Sequence, residues 1–263
     1  MATDVIDRTF VDSPLNEIVR PAGDQLMQSR YFTDLRAGTL TTRRLQGFSL
    51  QHTWHNRSIL KGFALQAIKS SDDNDAFMGT LRGIEAELTH PDLCKKFGLA
   101  IGLTEEDFAT ELPILEVLVF TGVSVATPLL MTNAATRRSG GMCSETIVQR
   151  YAAELAEYLP RAPYNISEDA LEFFTVHATV DVDHAEQAAQ AVARLATTDR
   201  VKAEVRAFVT YKARLKLAKW DGIYDAYASE ACPDPVARRL PVRKPHGSKE
   251  QTSSPPAEPT RVA

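Results

Sequence analysis

From Tyr164 to Asp221 the chain runs without a single glycine or proline. Such a stretch holds no residue that readily turns left-handed and none that removes a backbone donor, so long helices are the structure it builds most easily. The scarcity is general, with 13 glycines among 263 residues. Apolar positions recur at helical spacing, while no segment alternates with period two between hairpin turns and no internal repeat occurs. With 44 % hydrophobic residues there is ample material for one sizeable core. The expected architecture is all-α, a single bundle of about seven or eight helices.

Local signals divide the chain further. A first helical stretch is expected from Ser13-Pro14, bent near Pro21 and closed by Gly38. Thr41 or Thr42 opens a second helix, RRLQGFSLQHTWHNRSILKGFALQAIKSS. SDDND leads into a third, AFMGTLRGIEAELTH, and Pro91 marks a kink or a new start. LTEEDF reads as a capping box. A long helical stretch follows from Thr127 to Leu159, with Gly140-Gly141 a bend or a close contact. Ser167 caps the next helix, and the last runs from about Asp199 to Tyr227. Residues 1–12 read as an extension, 13–232 as the helical domain, and 233–263 as a basic, Pro/Ser-rich tail of disordered composition.

Bulk properties exclude several classes of function. A net charge of -4 argues against nucleic-acid binding. No apolar run reaches the ~20 residues that span a bilayer. MATDVIDRTF lacks the basic start and apolar core of a secretory leader, so a cytoplasmic protein is expected. Cys94, Cys143 and Cys232 are widely spaced, which leaves neither a disulfide framework nor a zinc-thiolate site.

The chemistry concentrates in residues 173–186, FFTVHATVDVDHAE. At about 100° per residue, His177, Asp181 and His184 share a stripe roughly 60° wide, and Asp183 points away from it. Burying three such groups needs something to neutralise them, and imidazole with carboxylate is a donor set that suits iron. An exposed polar stripe explains the same pattern. A Glu-x-x-His pair, Glu87 with His90, lies on the third expected helix, a spacing at which both can serve one metal. The second such pair that ferritin-like proteins carry is missing.

Here the chain resembles a family. TLTTRRLQGFSLQHTWHN, LEFFTVHATVDVDHAEQA and WDGIYDAY are similar to segments of the haem-oxygenase-like superfamily that holds thiaminase II and pyrroloquinoline-quinone synthase. The His-x3-Asp-x2-His helix resembles its di-iron oxidases and oxygenases, and the likeness covers about residues 13–228. The resemblance implies a haem-oxygenase-like bundle holding two Fe(II) ions through Glu87, His90, Glu145, His177, Asp181 and His184. Glu145 comes from its position 32 residues before His177. Glu85 competes with Glu87, because some members insert a glycine-containing turn between the Glu and the His. Some members also take a carboxylate from the second helix, where this chain offers only Gln51, His52, Trp54 and His55.

The implied reaction is O2-dependent N-oxygenation, desaturation or oxidative C–C cleavage of a small amino acid, amine or fatty acid, in natural-product biosynthesis. An external reductant would supply electrons through a donor partner, and a homodimer is compatible with the resemblance. His52, Trp54 and His55 are candidates for the substrate pocket, or for ordinary packing. Two other functions stay open: a cofactor-free oxidase of the pyrroloquinoline-quinone synthase type, and a non-catalytic helical partner protein. Cys143 is the position at which a thiaminase-type nucleophile would be sought, yet its surroundings do not reproduce that motif, and it reads as a small packing residue.

Overall fold

The computed structural model describes residues 8–69, 74–130 and 134–228, apart from the side chains of residues 75–76, 128 and 180–183. Every regular element among them is helical. The segments are α1 (Thr9–Pro14), α2 (Arg20–Met27), α3 (Arg30–Ala37), α4 (Thr42–Lys69), α5 (Asn74–Glu87) and α6 (His90–Ala100). They continue with α7 (Glu105–Thr110), α8 (Leu115–Leu130), α9 (Ala134–Tyr158), α10 (Glu172–Leu195) and α11 (Asp199–Ala226). The all-α expectation holds. The expected seven or eight helices correspond to the long segments, α4, α5, α6 and α8–α11, with the rod formed by α1 and α2.

That first rod starts earlier than expected, at Thr9, so the boundary placed at residue 12 falls inside a helix. Its bend is a π-helical turn, Leu15–Val19, between Pro14 and Pro21. Each proline removes an amide from the i→i−4 ladder, and a widened turn absorbs the loss. Gly38 ends α3 at φ 70°. That left-handed conformation suits glycine, and a Cβ there would lie 2.8 Å from Pro163 Cδ.

Other caps also have visible causes. Thr41 Oγ1 accepts from the Arg44 amide at 3.3 Å, making Thr41 the cap of α4. Thr104 and Asp107 form the expected capping box of α7. Thr198 caps α11 through the Val201 amide. The stretch expected to be helical from Thr127 to Leu159 is helical where it is described, as α8 to Leu130 and α9 from Ala134 to Tyr158. Ser167 precedes a short 3-10 turn, Glu168–Leu171, and makes no side-chain cap. The tail, residues 233–263, lies outside the described residues.

Helix α4 runs through the middle of the bundle against α5, α6, α8 and α11, while α9 packs along α10 on one side and α11 on the other. An aromatic cluster ties these together. Trp220 stacks on Phe48 at 5.1 Å and meets Tyr31 and Tyr151 edge-on at 4.8 and 4.9 Å. Gly47 allows the end of α11 to approach α4, because a Cβ there would sit 2.3 Å from the Tyr227 ring. Gln51, fully buried, clasps the stretch before α8. Its amide nitrogen donates to Leu112 O (3.0 Å) and Tyr227 Oη (2.8 Å), and its oxygen accepts from the Ile114 amide (2.9 Å). Among the described residues no helix is long and apolar enough to cross a membrane.

Candidate metal centre and its cavity

The long helices surround a partly open cavity of about 140 Å3. Four of the six residues singled out as iron ligands line it: Glu87 at the end of α5, His90 at the start of α6, Glu145 on α9 and His177 on α10. Glu87 and His90 do not share one helix, as the spacing suggests. Pro91 occupies the first turn of α6, and the chain breaks helix between Glu87 and His90. The two side chains meet across that break, His90 Nδ1 donating to Glu87 Oε2 at 2.6 Å.

Two of the four cavity histidines, His90 and His177, sit side by side, ring centroids 4.4 Å apart, in opposite protonation environments. Burial, then the neighbouring His90, push His177 down to about 4. Its Nδ1 lies 2.6 Å from the carbonyl oxygen of Phe173, which can only accept. The ring is therefore the Nδ1–H tautomer, with its lone pair on Nε2, the arrangement that orients a metal-binding imidazole. For His90, burial works downward but the hydrogen bond and charge of Glu87, with Glu145 beyond, carry the pKa above its ordinary value.

Asp181 lies on α10 one turn beyond His177, and its side chain is outside the described residues. The same holds for Asp183. His184 is half-buried on α10 and does not line the cavity. Glu85 is exposed, so it does not compete with Glu87 for the cavity. The other α9 acids are engaged elsewhere, Glu154 with Arg36 (3.2 Å) and Glu157 with Arg161 (3.0 Å). Glu186, farther along α10, pairs with Arg8.

Of the second-helix candidates, His52 and His55 line the cavity and Trp54 packs against the core outside it. Both histidines are held down well below the usual range by burial and by the nearby lysines. His52 accepts at Nδ1 from Lys219 Nζ (2.6 Å) and faces Tyr151 Oη through Nε2 (3.4 Å). His55 Nδ1 lies 2.7 Å from Thr121 Oγ1. Cys143 is buried, does not line the cavity, and has its thiol raised to about 11 by burial, so it is no ready nucleophile.

The feature that sequence reasoning missed is on α11. Lys212, Lys216 and Lys219 are 4 %, 3 % and 1 % exposed. Lys212 and Lys216 line the cavity, together with Arg137 from α9. A signal was available. At i, i+4 and i+7 these lysines lie in register with Val205, Phe208, Val209 and Ile223, the inward stripe of the helix.

The donor set suits iron chemically, with the imidazoles of His90 and His177 and the carboxylates of Glu87 and Glu145 in one cavity and a pre-oriented lone pair on His177. Among the described residues, however, no three His, Cys, Asp or Glu side chains are grouped closely enough to hold a metal ion. Glu87 and His90 instead spend their facing atoms on one another.

Comparison with known proteins places the chain in a family. Residues 78–219, just over half of the chain, match a family described as iron-containing redox enzymes, and the chain belongs to that family. The matched span carries all six expected ligands and the two cavity lysines. No curated protein matches it in sequence. The fold is shared with a domain of unknown function with a haem-oxygenase-like fold from Shewanella denitrificans. That similarity has a TM-score of 0.72 at 16 % identity, covering 86 % of this chain and 95 % of that one. It is shared also with TenA homologues from Pseudomonas syringae pv. tomato and Pyrococcus furiosus. Both have a TM-score of 0.69, at 15 % and 13 % identity, covering 81 % and 82 % of this chain and 91 % and 100 % of theirs. At these identities the likeness establishes a haem-oxygenase-like fold alone.

Proposed function

We propose that this protein is a non-haem di-iron oxidase or oxygenase acting on a small molecule with O2 as co-substrate. The observation that carries the reading is the convergence of Glu87, His90, Glu145 and His177, from four helices, on one cavity within the matched span. The reading takes Asp181 and His184, one and two turns beyond His177, as the remaining ligands, and it requires the His184 side chain to turn toward a cavity it does not line. Two Fe(II) ions bound there would supply the electrons for O2 reduction, with an external reductant restoring them for the next turnover.

The chain's own contribution is positioning. The Phe173 carbonyl fixes the tautomer of His177, and Glu87 orients His90 while keeping it ready to hold a proton. Ile59, Phe63, Val148 and Phe208 give the cavity an apolar wall for the substrate to pack against. The proposed reactions are N-oxygenation, desaturation and oxidative C–C cleavage, in a biosynthetic setting.

One observation favours a second reading, a cofactor-free oxidase of the same fold. The Glu87–His90 hydrogen bond and the cluster of lysines make a cavity able to move protons without metal. Anaerobic loading with Fe(II) followed by rapid mixing with O2 separates the two. The di-iron reading expects an O2-dependent visible absorbance transient that needs iron and is lost in His177→Ala. Substrate-dependent O2 consumption by iron-free protein would establish the second reading instead.

A further inference from the structure

Arginines from two helices meet over the bare backbone of one glycine. A Cβ at Gly79 on α5 would lie 3.4 Å from Arg138 Nη2 and 3.9 Å from Arg82 Nη2. Arg82 comes from the next turn of α5, its side chain folding back toward the helix start as long helical side chains do. Arg138 reaches the same point from α9 and is half-buried. Arg194, in the last turn of α10, acts there too, since burial and then the Arg194 charge lower the Arg138 pKa. Guanidinium groups do not give up their protons in a protein, so three cations from three helices crowd one place. Among the described residues none of the three forms an ion pair, and no carboxylate acts on Arg138. One position earlier on α9, Arg137 has a buried Nη1 with no hydrogen-bond partner among the described residues. Like charges in partly desolvated surroundings are costly to gather unless an opposite charge joins them.

We propose that Arg82, Arg138 and Arg194 bind a phosphoryl group over Gly79, and that this anion fastens α5 to α9 and α10. Charge and shape select the ligand class. A phosphoryl dianion offers oxygens in several directions, so guanidinium groups arriving from different helices can each make charge-assisted, even bidentate, contacts. A carboxylate brings one charge and two oxygens in one plane, enough for a single arginine. The space over Gly79 is that of a missing side chain, which suits one compact group rather than an acidic protein surface. The fastening has a consequence at the cavity. Helix α5 packs chiefly against α4, and its last residue is Glu87. An anion held between Arg82 of α5 and Arg138 of α9 would steady the helix that presents this carboxylate. The site itself uses none of the candidate iron ligands and stands whether or not the oxidase reading does.

The test titrates full-length, metal-free protein at about pH 8, where a phosphate ester is doubly charged. Inorganic phosphate, glycerol 3-phosphate, acetate and a polyglutamate peptide are compared at constant ionic strength, because exposed charges are screened by salt. Calorimetry reads affinity, and hydrogen exchange reads the amides of α5. Phosphate or its ester should bind about tenfold more tightly than acetate and slow exchange along α5. Arg82→Gln, Arg138→Gln and Arg194→Gln should each weaken that binding by about tenfold while still melting cooperatively. Arg200→Gln, at an exposed arginine of α11, should change nothing. Tighter binding of glycerol 3-phosphate than of phosphate would support the site with an esterified ligand, and the reverse order would support it with free phosphate. Equal binding of phosphate and acetate, affinity indifferent to all three substitutions, or tighter binding of polyglutamate would each overturn the proposal. Phosphate binding that leaves α5 exchange unchanged would overturn the fastening.

Discussion

His90 and His177 face each other with ring centroids 4.4 Å apart, yet their surroundings drive their protonation in opposite directions. Burial and its neighbour hold His177 neutral, whereas Glu87 and Glu145 outweigh the burial of His90 and favour its charged form. In metal-free protein, pH titration of the ring resonances should place His177 near 4 and His90 above its ordinary 6.5. Glu87→Gln removes the carboxylate charge and should drop His90 below 6.5, since burial then prevails. A His90 midpoint unmoved by that substitution would show that Glu87 does not hold the ring.

Lys212 links the cavity to stability. Its folded pKa of about 7 lies below the ordinary 10.5, so between those values the unfolded chain binds more protons than the folded one. Stability should therefore rise as pH increases from about 7 toward about 10.5, and Lys219, also lowered by burial, acts in the same direction. Lys212→Met should flatten this profile and raise stability near neutrality by an amount on the order of a few kcal/mol. Urea unfolding of both proteins at pH 7 and pH 9 measures the difference, and parallel profiles would contradict the burial of a strained cation.

Gly47 faces Tyr227, the residue that follows α11. A Cβ at that position would stand 2.3 Å from the Tyr227 ring, whose hydroxyl is bonded to Gln51. Gly47→Ala should destabilise the fold by about 1–3 kcal/mol, the usual cost of forcing an extra group into a packed core. Thermal melts give the comparison, with Gly83→Ala, where nothing lies within 4 Å of the added Cβ, as the control expected to cost nothing.

Much of this was legible beforehand because helices announce themselves locally. The breaker-free run from Tyr164 to Asp221 became α10 and α11, and the Thr104–Asp107 box sits where its spacing puts it. His177 stood out as part of a polar stripe on an otherwise apolar helix and Glu87 with His90 by their spacing, whereas Glu145 came from the family resemblance and its position 32 residues before His177. The break between Glu87 and His90 was harder to see, since Pro91 suits either a kink or a helix start. The lysines of α11 escaped for a different reason. Lysine is so often solvated that KARLKLAK reads as a surface face, and only its register with Val205, Val209 and Ile223 shows that it points inward. For Trp54, a candidate for the pocket or for ordinary packing, the structure shows the packing.

The most direct test of the di-iron reading is the amount of Fe(II) the protein binds after anaerobic loading and removal of excess metal. The account predicts two ions per chain in wild type, and at most one in His177→Ala, since that substitution deletes the pre-oriented Nε2 lone pair. Trace iron in wild-type protein, or full loading unaffected by His177→Ala, would contradict it.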